Sequence, residues 1–232
     1  FFSDYPVFTL STLRCNTIHA GGIAWYKNLI YVVDTNLGIR VFDPTRIYPA
    51  KPDLPDKKRC GRILDANGVH RDYAFDYRYI MPQIGYYKTT GTYPNSFISV
   101  GIGGGTSQPC LWMGQYLQSG TPKLFGLMLN SDGWINTTAN IITVSPKGEN
   151  GEVVFGMQGA YRAYGKTWLS VTGSSCYENS TARLITQASD TLNGCRWRWP
   201  HGAEGLYLEG TKLWCLTEFP SEHDFNDEKD GL

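Results

Sequence analysis

The sequence feature that most constrains the fold is a glycine followed nine residues later by an aromatic side chain, with two short apolar runs and a turn between them. Its three copies lead from Gly22 to Tyr31, from Gly159 to Trp168 and from Gly205 to Trp214. A propeller blade needs a small residue where its innermost strand is crowded, and a large aromatic residue where neighbouring blades pack. Because unrelated β-proteins rarely keep such a spacing, the repeat predicts an all-β propeller.

The first copy lies in the segment HAGGIAWYKNLIYVVDTNLGIRVFD, residues 19–43. Its apolar residues alternate with polar ones or form short continuous runs, which is typical of half-buried and buried strands. Lys27 and Asn28 occupy the position of a hairpin turn, and a second turn is expected at residues 35–38. The segment therefore predicts three short strands.

Similar strand–turn patterns continue along the chain, and helical periodicity is missing. Residues 6–13 resemble a strand without a local partner, which we expect to pair with the last blade and close the ring. Residues 44–72 are predicted to be a long connection pinned by Cys60. Intervals of about 40–50 residues give four or five blades, and we favour five in a single domain over residues 1–232. The acidic residues 221–232 are expected to be a mobile tail.

The segment GGIAWYKNLIYVVDTNLGIRVFD resembles blades of the NHL and gluconolactonase-type propellers, which often read G-I-x-x-x-x-x-x-L-Y-V-x-D. The chain is more similar to uncharacterised secreted propeller-like proteins of actinobacteria and fungi, through its HAGGI start, its P-Q strand and its M-Q-G segment. This resemblance covers most of the chain and implies a secreted propeller without an assigned activity. The Glu, Asn and Asp metal ligands of gluconolactonase-type enzymes cannot be placed here, so it implies neither a metal nor lactonase chemistry.

The charge balance narrows the class of partner. Lys+Arg and Asp+Glu both number 21, so the chain lacks the basic footprint of a nucleic-acid or anionic-membrane binder. No apolar run approaches the ~20 residues that span a bilayer. The cysteines form no C-x-x-C pair and only four His are present, so we expect no metal and no cofactor. The expected partner is a polysaccharide or glycan, bound by a monomer.

Cysteines and sequons favour a secreted, extracellular glycoprotein. Six cysteines allow up to three disulfide bonds, and Cys176–Cys195 is the pairing we favour because it closes a loop within one blade. Asn136-Thr-Thr and Asn179-Ser-Thr are glycosylation sequons in polar, turn-like surroundings. The start FFSDYP, without Met, fits a leader already removed.

Polar residues precede the repeated glycines and are the best functional signal. They are His19, Gln83, Gln158, His201 and Glu204. In a propeller the starts of the inner strands converge on one rim of the central channel, where concave ligand sites form. The alternative is that these side chains only satisfy strand-end backbone groups or channel waters.

As a catalytic set, Glu204 would be a general acid or base and His19 or His201 would move protons near neutral pH. Gln83 and Gln158 would orient sugar hydroxyls. Glycoside hydrolysis needs a second carboxylate, for which Asp34 and Glu218 are the candidates. A lyase acting on an acidic sugar needs a cation instead, and Arg40, Arg78 and Arg162 are the candidates, with Arg162 assigned to substrate binding.

Aromatic side chains support a rival function, a lectin-like module without turnover, because aromatic rings stack on sugar faces. Trp112, Trp134, Trp197 and Trp199 lie in loop-like or strand-end contexts, and of these Trp197 and Trp199 are the candidate sugar-binding rings. Trp25, Trp168 and Trp214 are expected to pack between blades. Because the polar set is not repeated in every blade, the first choice is one unique active site in the funnel, that of a glycoside hydrolase or polysaccharide lyase. A structural or protein-interaction propeller is the third class.

Overall fold

The computed structural model describes residues 2–4, 18–54, 56–89, 95–103, 107–147, 151–172, 182–188, 192–198 and 203–217. Within these ranges the regular structure is entirely β-strand and contains no helix, which confirms the predicted all-β class. The predicted strand at 6–13 and the acidic tail lie outside the described residues.

The strands follow one another along the whole chain. In order they are β1 (Phe2–Asp4), β2 (Ala20–Tyr26), β3 (Leu29–Asp34), β4 (Gly38–Phe42), β5 (Tyr48–Pro49), β6 (Cys60–Leu64), β7 (His70–Ala74), β8 (Tyr79–Ile80), β9 (Gln83–Thr89), β10 (Asn95–Ile102), β11 (Pro109–Gln115), β12 (Leu124–Met128), β13 (Ile142–Val144), β14 (Met157–Ala163), β15 (Lys166–Thr172), β16 (Ala182–Ala188), β17 (Leu192–Arg198), β18 (Ala203–Glu209) and β19 (Lys212–Thr217).

These strands form three larger sheets and three small ones. The larger sheets have the orders β1-β9-β4-β3-β2, β10-β11-β12-β13 and β14-β15-β16-β17, and the pairs β18-β19, β5-β8 and β6-β7 are two-stranded. All pairings within the sheets are antiparallel. The connection predicted at residues 44–72 therefore carries short strands of its own, which leave the first sheet after β4 and return to it at β9.

The hairpin predicted at Lys27 and Asn28 is confirmed. Tyr26 pairs with Leu29, and Lys27 has a φ of 52°. That left-handed conformation matches the type of two-residue turn whose twist suits a hairpin. The second predicted turn, at residues 35–38, joins β3 to β4 through the pair Asp34 and Gly38.

The first strands of four sheets, β2, β10, β14 and β18, lie side by side in the same direction. Backbone contacts run in step, because Gly21 lies against Ser96 and Gly22 lies against Ile98. A Cβ on Gly22 would be only 2.9 Å from the backbone nitrogen of Ile98, so this position needs a residue without a side chain. Gly101 touches the carbonyl oxygen of Arg162 in the same way. Glycine therefore lets the sheets approach closely.

The hydrophobic core lies between successive sheets. One cluster joins the first sheet to the second through side chains such as Tyr31, Ile39 and Leu111. A second cluster joins the second sheet to the third around Trp112 and Met157, and a smaller one joins the third sheet to β18 and β19 around Leu206. The described residues do not form a closed ring, because β18 approaches β2 at only a few positions and a cleft opens between β2 and the β18–β19 pair. Propeller closure and the expected five blades therefore stay predictions.

The cysteines allow fewer disulfide bonds than expected. Cys110 and Cys215 are free thiols, which leaves four of the six cysteines and at most two bonds. Burial raises the pKa of Cys110 to about 12, and it also raises the pKa of Cys215. The favoured pair, Cys176–Cys195, lies outside the residues whose side chains are described.

Candidate functional site

A β-bulge near the start of each first strand defines one rim of the molecule. The register shifts between Ala20 and Gly22 in β2, between Asn95 and Phe97 in β10, between Met157 and Gly159 in β14, and between Ala203 and Leu206 in β18. The residues inside these shifts are Gly21, Ser96, Gln158, and Glu204 with Gly205. Bulges redirect side chains and are frequent beside active sites. This rim is therefore a candidate functional site.

Two residues predicted from the sequence, Gln158 and Glu204, occupy equivalent bulges on neighbouring strands. A Cβ on Gly159 would overlap the carbonyl oxygen of Glu204, so the backbones of β14 and β18 touch at this level. The Ser170 hydroxyl donates to the carbonyl oxygen of Ala203 over 2.5 Å and joins the same two sheets. The structure therefore brings Gln158 and Glu204 to one edge of the molecule.

His19 lies at the same rim, immediately before β2. It is exposed, and its Nδ1 is 2.8 Å from the Thr35 hydroxyl oxygen. Thr35 also donates its backbone N–H to the carbonyl oxygen of His19 over 3.0 Å, so both the ring and the backbone of His19 are bonded to Thr35. His19 is thus held at the rim by the turn after β3.

Asn95 is a rim residue that sequence reasoning missed. It is fully buried at the start of β10, and among the described residues neither its Oδ1 nor its Nδ2 has a hydrogen-bond partner. An unsatisfied buried amide costs about 1–3 kcal/mol, so such groups mark strained or functional places. The sequence signal was weak, because Phe97 replaces the glycine that marks the other first strands.

Gln83 lies elsewhere. It begins β9, which pairs with β4 in the outer part of the first sheet, so it is not at the start of an innermost strand as expected. Its Oε1 accepts a hydrogen bond of 2.8 Å from Arg40, whose guanidinium also donates to Asp34 Oδ2 over 2.6 Å and 3.0 Å. These contacts use Arg40 and Asp34 in one nearly buried network, where they support the sheet.

Arg162 is also distant from the rim, at the end of β14 opposite Gln158. Its guanidinium lies 5.4 Å from the ring centre of Trp112 and donates to the Thr167 hydroxyl over 2.8 Å. Its contacts therefore stabilise the packing between the second and third sheets. The other predicted residues, His201, Trp197 and Trp199, have side chains outside the described residues.

A cleft of about 500 Å³ opens between β2 and the β18–β19 pair, with the middle of β10 as its floor. Trp25 on one wall and Tyr207 and Trp214 on the other are 64%, 56% and 53% exposed. The expectation that Trp25 and Trp214 pack between sheets is therefore wrong, because nothing among the described residues covers these rings. Trp168 fits that expectation better, since its ring centre is 5.7 Å from that of Tyr161 and it is half-buried.

The cleft presents ring surface and almost no charge. The indole N–H groups of Trp25 and Trp214 already donate to the carbonyl oxygen of Lys27 and to Glu209. Their ring faces are what remains for a ligand. Among the described residues that line the cleft, none is Asp, Glu, Lys, Arg or His. Glu204 precedes the lining residue Gly205, so the rim and the cleft are adjacent.

The described residues contain neither a metal-ligand cluster nor a membrane-spanning helix. No group of three or more His, Cys, Asp or Glu side chains is placed to hold a metal ion. The part of the chain that the structure describes also contains no apolar helix of membrane-spanning length.

Comparison with known proteins assigns no family. No family model matches the sequence, and no curated protein matches it. Among solved structures, the chain is similar to one titled "Crystal structure of the computationally designed Ika4 protein", with 11% identity over 91% of this chain and 92% of that chain. The TM-score is 0.36, too low to support an argument about fold or function. The resemblance to secreted propellers stays a prediction.

Proposed function

We propose that this protein is a secreted, monomeric carbohydrate-binding protein and that the aromatic cleft binds its glycan. The observation that carries the proposal is the presence of three exposed aromatic rings, Trp25, Tyr207 and Trp214, on the two walls of one cleft. Monomeric proteins rarely leave large apolar patches exposed without a ligand or partner. Pyranose rings present C–H faces that stack on indole and phenol rings.

The dimensions and charge of the cleft favour a neutral glycan. Its volume of about 500 Å³ lies within the range of small-molecule sites. A uronic acid would place a carboxylate where the lining offers no cation to pair with it, and an unpaired charge is costly to desolvate. A neutral oligosaccharide with an apolar ring face has no such cost. This argues against the lyase acting on an acidic sugar.

A carbohydrate-active enzyme is the second candidate function. Glu204 and Gln158 occupy equivalent bulges, Glu204 is next to the cleft, and His19 lies at the same rim. A carboxylate at the edge of a sugar-binding cleft is suited to general acid or base catalysis. The buried, unsatisfied Asn95 at this rim is the observation that favours this candidate. Its catalytic set would be His19, His201 and Glu204.

The proposed architecture is a propeller in which the four sheets that begin with β2, β10, β14 and β18 are blades. The support is that the aromatic residue occupies an equivalent paired position in each of them. It pairs with the residue two positions after the repeated glycine, or after Phe97 in the second sheet: Ala24 with Tyr31, Ser99 with Trp112, Tyr161 with Trp168, and Tyr207 with Trp214. Four repeats in the described residues favour four blades over the five expected from spacing.

The test is a pull-down on insoluble neutral and acidic polysaccharides, with soluble products measured in the same tubes. We expect binding to a neutral polysaccharide, and we expect Trp25→Ala and Trp214→Ala each to weaken it about tenfold, or about 1.4 kcal/mol. Tyr77→Ala is the matched control, because Tyr77 is equally exposed but lies outside the cleft. Failure of the protein to bind any neutral polysaccharide would overturn the proposal.

The product assay separates the two candidates. New reducing ends that disappear in the His19→Ala, Glu204→Ala double variant, while binding persists, would establish hydrolysis. Binding without products from the unmodified protein would leave the lectin-like function.

A further inference from the structure

We propose that Asn136 is a site of N-linked glycosylation and that its glycan lies on the face of the second sheet, away from the aromatic cleft. Asn136 begins the sequon Asn136-Thr137-Thr138 and directly follows the bridge between Leu129 and Ile135. The inference rests on the proposed secretion of the protein, because the transferase acts in the secretory pathway.

The sequon forms a local turn on the surface. Asn136 Oδ1 accepts hydrogen bonds from the Thr138 backbone N–H over 3.1 Å, from the Thr138 hydroxyl over 2.8 Å and from the Ala139 N–H over 3.2 Å. Thr137 and Thr138 are exposed and Asn136 is half-buried. All three bonds join residues at most three positions apart, so these side-chain bonds are local, and the Asn136 N–H joins the turn to β12 by donating to the carbonyl oxygen of Met128 over 2.8 Å.

This geometry presents the reacting atom. The bonds in the turn are all accepted by Oδ1, and among the described residues none is donated by Nδ2, the nitrogen that is glycosylated. In the transfer, Nδ2 forms a bond to the anomeric carbon of a lipid-pyrophosphate-linked oligosaccharide. The bond from that carbon to the phosphate oxygen breaks, the lipid pyrophosphate leaves with the electron pair, and the amide loses one proton to a base of the transferase. No oxidant or reductant is needed.

Space for the sugar is available beside the turn. A surface groove of about 610 Å³ is lined by Asn136 and by side chains of β12 and β13 and the loop between them, such as Phe125, Asn140 and Thr143. It shares no lining residue with the aromatic cleft. An attached glycan would therefore cover the second sheet and leave the cleft accessible.

The test is expression of the full chain behind an added secretion signal in eukaryotic cells, in an Asn179→Gln background that removes the other sequon. Medium and cell lysate are treated with peptide-N-glycosidase, and mass spectrometry is used to find the Asn-to-Asp conversion at position 136. We expect a mobility shift on treatment that is lost in Asn136→Gln and Thr138→Ala. Thr137→Ala is the matched control, because it changes the neighbouring threonine and leaves the sequon intact.

A shift that persists in Asn136→Gln, or the absence of a shift in both medium and lysate, would overturn the inference. Thr138→Ser keeps the hydroxyl donor and should keep the shift. A shift kept in Thr138→Ser and lost in Thr138→Ala would assign the loss to the missing hydroxyl. Glycan binding by the cleft is measured separately on the Asn136→Gln protein. A failure there would concern the proposed function and not this site.

Discussion

Trp112 and Trp214 occupy the same position in two sheets and have opposite environments. Trp112 pairs with Ser99 and is fully buried, whereas Trp214 pairs with Tyr207 and is 53% exposed. The third sheet covers Trp112 with Met157, Ala160 and Arg162, whereas among the described residues no sheet covers Trp214, which lines the open cleft. A tryptophan at one position of the repeat can therefore pack in the core between two sheets or form part of an exposed cleft, depending on whether a further sheet lies against it.

Replacing Trp112 should have the largest effect on stability. Trp112→Ala removes a buried indole and its 3.1 Å hydrogen bond to the carbonyl oxygen of Ile102, so we expect a loss of about 3–5 kcal/mol of unfolding free energy. Trp214→Ala should change it by at most about 1 kcal/mol, because the side chain is 53% exposed and loses only a cross-strand pair and a surface hydrogen bond. Urea denaturation measures both. Equal losses would show that Trp214 packs as Trp112 does and would remove the distinction.

The ion pairs extend the comparison between packed and exposed regions. Arg40→Met should cost about 3 kcal/mol, because it leaves Asp34 buried without its partner. Arg62→Met is the control, since the Arg62–Asp72 pair is more exposed and such pairs contribute at most about 1 kcal/mol. Denaturation midpoints of the two variants give the answer. An Arg40→Met variant with an unchanged denaturation midpoint would contradict the tight packing of the first sheet.

The two free thiols should differ sharply in their reactivity. Cys215 lines the cleft and should react with a maleimide in the native state, whereas Cys110 is fully buried and should react only after unfolding. A neutral oligosaccharide should slow the reaction at Cys215. Peptide mass spectrometry of the labelled protein distinguishes the two sites. Labelling of native Cys110 at the same rate would contradict the burial of the second sheet.

The same thiol predicts the sign of an alkaline effect. The pKa of Cys110 is raised by burial to about 12, so the folded protein keeps a proton that the unfolded chain releases near pH 9. The contribution of the Cys110 thiol to the free energy of unfolding is fully present below pH 9 and is lost as the pH rises from 9 towards 12. Cys110→Ala should therefore flatten the decrease of unfolding free energy above pH 9. An unchanged slope would show that Cys110 does not carry the effect.

Local spacing was enough to predict the strands but not their neighbours. The pairs Ala24–Tyr31, Tyr161–Trp168 and Tyr207–Trp214 confirm the glycine-to-aromatic repeat. A fourth copy, Ser99–Trp112, escaped detection because a longer loop separates β10 from β11 and Phe97 stands at the glycine position. The buried apolar pattern of β10 and β11 specifies the register of this pair, although the loop that joins them is longer than in the other copies.

The candidate site was predictable only in part, because burial depends on which sheet lies opposite. Nothing in the sequence near Trp25 indicates that no sheet covers it, so its exposure could not be predicted. Gln158 and Glu204 were found because strand starts converge on one rim. Gln83 was misplaced because a strand beginning with a polar residue and a later glycine can also lie in the outer part of a sheet.

Calorimetric titration with a neutral β-linked oligosaccharide tests the central claim most directly, comparing the unmodified protein, Trp214→Ala and Tyr77→Ala. We predict binding by the unmodified protein and by Tyr77→Ala, about tenfold weaker binding by Trp214→Ala with unchanged stability, and no binding of a uronic acid oligomer of equal length. Equal affinity of all three proteins, or preference for the acidic oligomer, would contradict the assignment of the cleft as a neutral glycan site.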